Sequence, residues 1–240
     1  MPLDDSYTKV LLHFEGADGA TTITDESGKT WTAQGGAQID TAYYKFQQAS
    51  GYFNNGATTS DHFTTPAHAD FQVGSDDFTV ECWFMLATDN TNTMTLTAQS
   101  TGTTDQFFTI SKNTSKYIVA MVRNNADVQI SATTTGVTVT DTTTWHHVAA
   151  VKYGTELAVY LDGTKGASTG TISAPAQVSG QLFSVGSSSN GTQSFVGWID
   201  EFRFSKGIAR YTANFTPPTI PFGIPSGGEN MYFADGFSVY

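Results

Sequence analysis

The sequence contains a single cysteine, Cys82, in 240 residues. An internal disulfide is therefore excluded, and the fold must be stabilised by packing or by a metal ion. Cys82 lies inside an alternating apolar pattern, which predicts a small buried hydrophobic residue. Long apolar runs are also missing: no stretch approaches the ~20 residues of a membrane-spanning helix, so we expect no membrane insertion. The amino terminus lacks a basic region followed by an apolar run, so we expect no signal peptide and synthesis in a cytoplasm.

Positive charge is scarce. The chain has 11 Lys and Arg residues against 22 Asp and Glu residues, which gives a net charge of −11. Such a surface repels nucleic acids and anionic membranes, so DNA or RNA binding is not expected, and it attracts divalent cations only diffusely. Apolar residues make up 39% of the chain and aromatic residues 13%. This composition is typical of a globular chain with a sizeable core, not of a disordered one.

Helical periodicity of useful length is absent as well, whereas strand-like alternation recurs along the chain. The clearest case is the segment 76–86, where Phe78, Val80, Cys82 and Phe84 share one face. We predict that this face lies between two sheets. The other predicted strands cover 8–14, 30–38, 94–99, 106–112, 117–123, 128–132, 145–153, 157–161, 182–185 and 195–204. Many short strands separated by turn-forming clusters predict an all-β sandwich of two antiparallel sheets.

Three segments give the sequence a family resemblance. They read Trp-His-His-Val-Ala at 145–149, Tyr-Leu-Asp-Gly at 160–163 and Gly-Trp-Ile-Asp-Glu-Phe-Arg at 197–203. Together they resemble the laminin-G-like, concanavalin A-like lectin/glucanase domains, and the resemblance implies a jelly-roll sandwich. Both faces of the strands within 145–163 are apolar, which predicts a sheet that is covered on two sides.

Other segments resemble virion proteins of tailed bacteriophages that share this fold. These are Leu-Leu-His-Phe-Glu-Gly at 11–16, an Asp-x-Ser-Gly turn at 25–28, the aromatic segments 45–46 and 51–53, and the closing segment 207–218. The resemblance implies a non-enzymatic virion protein, such as a capsid decoration, head-fibre or tail-fibre component. Its partners would be other virion proteins or copies of itself. A lectin or attachment protein that binds host-surface glycans is the alternative, and a glucanase is third.

A Gly- and Pro-rich stretch after the closing segment indicates a boundary. We predict a sandwich over 1–218 and a C-terminal arm over 219–240. The arm ends in a segment that would expose more apolar surface than a free tail usually does. We expect it to dock on a neighbouring subunit, and folding back onto its own sandwich is the alternative. The docking candidates are Met231, Tyr232, Phe233, Phe237 and Tyr240.

Calcium is the metal that the resemblance implies. Related sandwiches often hold a structural ion between the first and last strands, and Glu15 and Asp200 occupy the corresponding places. Hard cations bind such carboxylate oxygens. The alternative is that Glu15 is a turn residue and Asp200 a solvated or arginine-paired one. The neighbouring histidines His146 and His147 diverge on a strand without a second ligand pair, so we interpret them as structural and not as zinc ligands.

Catalytic residues are not predicted. Hydrolases of this fold carry Glu-x-Asp-x-x-Glu on one strand, with two carboxylates flanking the sugar bond. Here Trp198 stands two residues before Asp200. Asp200 and Glu201 are adjacent, and adjacent residues of a regular strand point to opposite faces. On this argument they do not act together on one bond.

Glycan binding would require aromatic side chains beside polar groups on a concave sheet. Trp83 with Glu81, and Tyr117 with Arg123, are the candidates. The alternative is that most aromatic residues belong to the core or are covered by terminal segments.

Overall fold

The computed structural model describes residues 5–54, 60–100, 106–124, 128–168, 170–172, 181–188 and 191–223. Within these ranges the chain is almost entirely β-structure, with one 3-10 turn at Ala69–Phe71 and no helix long and apolar enough to cross a membrane. The strands are β1 (Thr8–Leu12), β2 (Thr32–Gln34), β3 (Gln38–Asp40), β4 (Ser50–Phe53), β5 (His62–Thr65), β6 (Phe78–Leu86), β7 (Met94–Ser100), β8 (Gln106–Lys112), β9 (Ile118–Arg123), β10 (Gln129–Thr133), β11 (His146–Tyr153), β12 (Glu156–Leu161), β13 (Thr164–Lys165), β14 (Ala167–Ser168), β15 (Leu182–Val185) and β16 (Gly197–Lys206).

The strands form two antiparallel sheets of eight strands each. Sheet I has the order β13-β12-β11-β6-β16-β4-β3, and β1 also pairs with β16. Sheet II has the order β14-β10-β9-β8-β7-β15-β5-β2. This arrangement confirms the predicted jelly-roll sandwich. Apart from 30–38, each predicted strand agrees with the structure to within two residues at either end.

The main hydrophobic core lies between the two sheets. Phe78, Val80, Cys82 and Phe84 of β6 all belong to it, which confirms the prediction made from their alternation. Cys82 is a buried free cysteine, as expected. Leu86 belongs to the core as well, and because side chains on a strand point alternately to opposite faces, the intervening residues of β6 point to the outer face of sheet I.

The outer face of sheet I is covered as well. Residues 207–223, here named the C-terminal strap, lie across it. Tyr211 and Phe215 of the strap stack on each other with ring centroids 3.6 Å apart. They pack against a second cluster of buried residues, formed by Ala149, Val151, Ala158 and Tyr160. The prediction that the strands within 145–163 are covered on two sides is therefore confirmed.

A β-bulge interrupts β16 between Asp200 and Arg203. Glu201 has a φ of 51°, in the left-handed region that a bulge uses. Ile199 and Phe202 both point into the core, so Asp200 and Glu201 between them lie together on the outer face. The expectation that these two carboxylates point to opposite faces is wrong, because the bulge adds one residue to the alternation.

Strands β4 and β5 and the two-residue strands β13 and β14 were not predicted, and the predicted strand 30–38 is divided into β2 and β3. A Cβ atom at Gly51 in β4 would lie 2.9 Å from the Phe14 ring, so this strand carries glycine where alternation would call for a larger side chain. The division within 30–38 occurs at Gly35, which has a φ of 64°. The next residue donates its N–H to Asp61, and the chain turns there to reach the other sheet.

The first residues of the predicted arm lie against the sandwich. Phe222 donates its N–H to Glu201 Oε2 at 2.7 Å, and its ring lies 3.9 Å from the guanidinium carbon of Arg203. Docking on a neighbouring subunit stays a prediction, because its candidates Met231, Tyr232, Phe233, Phe237 and Tyr240 lie outside the described residues.

Candidate functional site

Glu81, one of the predicted glycan contacts, is fully buried beneath the C-terminal strap. Its carboxylate accepts hydrogen bonds from Arg203 and from the Tyr211 hydroxyl, the latter at 2.8 Å. Burial alone would raise the pKa of Glu81, but Arg203, followed by His147 and Tyr211, overcomes this effect and lowers the pKa to about 2. In this structure Glu81 is a buried anion that holds the strap, inaccessible from solvent.

Trp83 is also covered. Its ring meets Phe46 edge to face at 5.9 Å between centroids, and the Lys45 ammonium lies 4.0 Å from the ring centroid. Burial lowers the pKa of Lys45, against the attraction of nearby carboxylates. Segment 45–46 therefore occupies the face that a sugar would need in order to stack on Trp83.

Tyr117 and Arg123 belong to the other sheet. Tyr117 precedes β9 and donates its N–H to Asn113 Oδ1, whereas Arg123 ends β9 opposite Gln129 of β10. The structure thus separates the four predicted residues between the two sheets and does not bring them to one surface. Sugar binding by any of them stays a prediction.

Asp200 and Glu15 hold the segment 45–49. Asp200 Oδ2 accepts the N–H groups of Lys45 and Phe46 at 2.8 and 3.0 Å. Glu15 Oε1 accepts those of Gln48 and Ala49 at 3.2 and 3.3 Å. Burial, and then the Glu201 carboxylate, raise the pKa of Asp200 well above its ordinary value.

The surroundings of Asp200 fit a hard cation in one respect only. Asp200 Oδ1 is buried without a hydrogen-bond partner among the described residues, and such an oxygen is a suitable ligand for calcium. However, the described part of the chain contains no group of three or more Asp, Glu, His or Cys side chains arranged to hold a metal. Calcium would therefore need backbone carbonyls or water as further ligands, and the calcium site stays a prediction.

The two neighbouring histidines each meet a carboxylate. His146 Nδ1 lies 2.7 Å from Asp162 Oδ2. The buried His147 lies with Nε2 3.3 Å from Glu81 Oε2, under the strap. These contacts support the interpretation of both residues as structural.

An accessible cleft that the sequence did not reveal opens on the outer face of sheet I. Its volume of about 440 Å³ lies in the range of small-molecule binding sites, roughly 300–1,000 Å³. None of its lining residues belongs to the strap. We name it the aromatic cleft, and it is lined by Ala42, Tyr43, Tyr44, Met85, Ala87, Thr142, Thr143, Trp145 and Trp198.

The Trp198 ring forms part of one wall of the cleft. It lies on β16 opposite Tyr52 of β4 and Met85 of β6. The Tyr52 ring stacks on it at 5.2 Å between centroids, and the Tyr43 ring packs on it at 4.4 Å. Its indole N–H donates to Asp40 Oδ2 at 3.0 Å. The position of the Trp198 ring is therefore fixed on several sides.

The two tyrosines come from the connection between β3 and β4. Tyr43 is 51% exposed and Tyr44 is 45% exposed. The connection is anchored on both sides of them, because the Ser50 hydroxyl donates to the Tyr43 carbonyl at 2.6 Å and Asp200 accepts the N–H of Lys45. Two exposed aromatic side chains thus stand on an ordered backbone.

The opposite wall is the turn that precedes β11. Asp141 accepts the N–H and the hydroxyl of Thr143, both at 2.7 Å, and also the Thr144 hydroxyl. These hydrogen bonds, that of Thr144 first, lower the pKa of Asp141 to about 2. Trp145 follows directly and lines the cleft.

The chemistry of the aromatic cleft is that of a binding site. Its described lining consists of aromatic rings, small apolar groups and hydroxyls, and none of these residues is charged. Among the described residues, no pair of carboxylates lines it that would serve as acid and base. The tandem tyrosines at 43–44 were the available sequence signal, but they lie in a turn where strand alternation carries no information.

Comparison with protein-family models matches residues 55–209, more than half of the chain, to the concanavalin A-like lectin/glucanases superfamily. A comparison with curated proteins found no match.

Solved structures of similar fold include toxin binding domains. The binding domain of Paraclostridial Mosquitocidal Protein 1 has a TM-score of 0.63 and 16% identity, covering 84% of this chain and 49% of that chain. The Botulinum neurotoxin serotype G binding domain has a TM-score of 0.61 and 13% identity, over 84% and 48%. The Botulinum neurotoxin DC binding domain in complex with SialylT has a TM-score of 0.61 and 11% identity, over 85% and 49%. The chain spans about half the length of these structures, and the likeness shows a shared fold.

Proposed function

The chain belongs to the concanavalin A-like lectin/glucanase superfamily, and from this premise we propose that it is a non-enzymatic binding protein that recognises glycans through the aromatic cleft. The observation that carries the proposal is the pair of exposed tyrosines, Tyr43 and Tyr44, beside the fixed ring of Trp198. Large aromatic side chains on an ordered backbone bind at a low cost in conformational entropy.

The lining of the cleft suits the two kinds of surface that a sugar presents. The C–H faces of a sugar ring are apolar and pack against aromatic faces, whereas its hydroxyl groups need hydrogen-bond partners. The cleft offers the rings of Tyr43, Tyr44, Trp145 and Trp198 for the first and tyrosine and threonine hydroxyls for the second. Apolar walls with a few polar groups are the usual composition of a ligand site.

Binding without hydrolysis is supported by the position of the carboxylates. Glycoside hydrolysis generally requires two carboxylates that flank the scissile bond. Asp200 and Glu201 share a face, but both are fully buried and accept hydrogen bonds from the backbone N–H groups of Lys45, Phe46 and Phe222. A substrate would have to displace the segments that cover them.

We propose further that the domain is displayed on a tailed-phage particle, as a capsid decoration, head-fibre or tail-fibre protein made in the host cytoplasm. The phage-like opening and closing segments support this placement, and in the structure the closing segment meets the residues at and just before the start of β1. Arg210 Nη2 of the closing segment lies 2.9 Å from Asp5 Oδ2, just before the opening strand. Copurification with intact particles at a fixed stoichiometry tests the placement, and absence from purified particles contradicts it.

Glycan recognition is tested by a glycan array followed by titration of the strongest ligand. The double variant Tyr43→Ala/Tyr44→Ala should weaken binding at least about tenfold, equivalent to roughly 1.4 kcal/mol. Its melting temperature should not change. Tyr153→Ala is the matched control, because Tyr153 is 56% exposed on the β11–β12 hairpin and does not line the cleft. An array without any bound glycan, or cleavage of laminarin, would refute the proposal.

A further inference from the structure

We infer that the aromatic cleft selects uncharged glycans and excludes acidic ones, such as sialylated, sulfated or uronic-acid glycans, and that Asp40 and Asp141 set this selectivity. The inference rests on the proposed glycan recognition and names the ligand class of that same site. Three observations support it. None of the described lining residues is Arg or Lys, a carboxylate lies at each wall, and the basic side chains next to the lining in sequence contact other groups.

The part of the lining that the structure describes provides no cationic partner for an anion. Carboxylate and sulfate groups are bound in proteins by Arg or Lys side chains, or by backbone N–H groups that converge on one point. None of the described lining residues is Arg or Lys. An anion that entered the cleft would lose water without gaining a charged donor, and such desolvation is unfavourable.

One backbone donor in each wall is already engaged. Ala42 donates its N–H to Asp40 Oδ1 at 2.5 Å, and Thr143 donates its N–H to Asp141 Oδ1 at 2.7 Å. The indole N–H of Trp198 is likewise taken by Asp40 Oδ2. In each wall a backbone N–H is therefore hydrogen-bonded to an Asp carboxylate of the same turn. These two donors and the Trp198 indole N–H are not available to a ligand.

The same two carboxylates bring negative charge to both sides of the cleft. Asp40 holds the Trp198 ring at one wall, and Asp141 directly precedes the lining residue Thr142 at the other. The hydrogen bonds that Asp141 accepts from Thr143 and Thr144 keep its carboxylate ionised at any physiological pH. These two charges repel an anionic ligand, and the net charge of the chain, −11, adds to that repulsion.

The basic residues next to the lining in sequence, Lys45 and His146, have their main contacts outside the cleft. Lys45 follows Tyr44 in sequence, but its ammonium lies over the Trp83 ring at 4.0 Å from the centroid, and Lys45 does not line the cleft. His146 follows Trp145, and its Nδ1 lies 2.7 Å from the Asp162 carboxylate. The carboxylates that act on Lys45 are Asp162 and Asp200, away from the walls, whereas His146 also interacts with Asp141 but is hydrogen-bonded to Asp162.

The test uses matched pairs of immobilised glycans that differ in charge alone. Suitable pairs are N-acetyllactosamine with and without a sulfate group, sialyllactose as the free acid and as its uncharged methyl ester, and polygalacturonate and its fully methyl-esterified form. The wild-type chain should bind the uncharged member of at least one pair ten or more times more tightly than its acidic counterpart. This ratio should fall when the salt concentration rises from 20 to 500 mM, because salt screens exposed charges.

Two variants locate the source of the selectivity. Asp141→Asn and the double variant Asp40→Asn/Asp141→Asn should lower the ratio of uncharged to acidic binding severalfold. Asp76→Asn is the control, because it removes the same charge from an exposed residue just before β6, outside the lining of the cleft. If a variant does not fold, the salt series on the wild-type chain still tests whether charge repulsion causes the selectivity.

Each outcome bears on a separate statement. Equal or tighter binding of the acidic members would overturn the charge selectivity and leave glycan recognition intact. A ratio that the Asp40 and Asp141 variants and salt leave unchanged would overturn the role of the two carboxylates. Binding of no member of any pair would overturn the proposed function, and this inference with it.

Discussion

The buried carboxylate of Glu81 on β6 accepts two hydrogen bonds from Arg203 on β16, from Nε at 2.9 Å and from Nη2 at 2.8 Å. Both side chains lie on the outer face of sheet I, and Tyr211 of the C-terminal strap donates to the other Glu81 oxygen. A buried ion pair is favourable only when its remaining hydrogen-bonding positions are satisfied. Tyr211 of the strap satisfies one of those positions. The ion pair of Glu81 and Arg203 and the C-terminal strap therefore stabilise each other.

Acid should destabilise the fold through Glu81. The pKa of Glu81 falls from 4.5 to about 2 on folding, so the folded state binds its proton more weakly than the unfolded chain. The resulting stabilisation, on the order of 3 kcal/mol, is present above about pH 4.5 and is lost as the pH falls towards 2. Urea denaturation between pH 6 and 2.5 measures it. In Glu81→Gln the free energy of unfolding should vary less with pH over this range. The control Glu156→Gln, which removes one partner of an exposed ion pair, should keep the wild-type pH dependence. An equally steep loss in Glu81→Gln would contradict the prediction.

Truncation of a core aromatic should be costly. Phe84 is fully buried and packs against Phe195 between the sheets. Phe84→Ala should lower the free energy of unfolding by ~3–5 kcal/mol, because it removes apolar burial and leaves a cavity. Tyr153→Ala, at an exposed position, should change it by less than about 0.5 kcal/mol. Chemical denaturation measures both, and a loss below ~1 kcal/mol for Phe84→Ala would be incompatible with its burial.

Calcium should stabilise the chain if Asp200 Oδ1 binds it. At one hundred times its dissociation constant a ligand stabilises by ~2.7 kcal/mol. We expect millimolar calcium to raise the melting temperature, a chelator to lower it, and Asp200→Asn to remove this sensitivity. Asp141→Asn, which changes an exposed carboxylate, should retain it. The same melting temperature with calcium and with chelator would rule out a strong structural site.

Removal of residues 224–240 should separate folding from assembly. The truncated chain keeps Phe222 and its contacts with Glu201 and Arg203, so we expect a folded, soluble domain. That domain should no longer assemble or join particles, since the predicted docking residues are gone. Analytical ultracentrifugation and incorporation assays measure this. The full-length variant Phe222→Ala should instead lower the melting temperature. Unfolding of the truncated chain, or its normal assembly, would disprove docking by the arm.

The sandwich was predictable because apolar residues alternate along several of its strands. In β6 the residues Phe78, Val80, Cys82 and Phe84 recur at every second position, and the buried face follows directly from that spacing. The strand β4 was not predictable in this way. Its Gly51 is required by the close approach of Phe14, a residue 37 positions earlier, and local patterns carry no information about such a contact.

The candidate site was harder to predict than the fold for two physical reasons. The bulge at Glu201 shifts the alternation by one residue, and no sequence signal marks it, since the left-handed residue is a glutamate and not a glycine. The aromatic cleft combines Tyr43 and Tyr44 from one turn, Trp145 from another and Trp198 from a strand. Their proximity depends on how the two turns fold over the sheet, which spacing along the chain does not encode.

The position of β16 sets the order of events during synthesis. This late strand lies inside sheet I, with β6 along one side and β4 and β1 along the other. Thr8 pairs with Ser205, so the first strand has no partner until nearly the whole sandwich has left the ribosome. The complete sheet therefore forms only after β16 has been synthesised, and such non-local pairing is typical of chains that fold in milliseconds to seconds. Until then β6 has an open edge, and nascent chains on one polysome are exposed to pairing with each other.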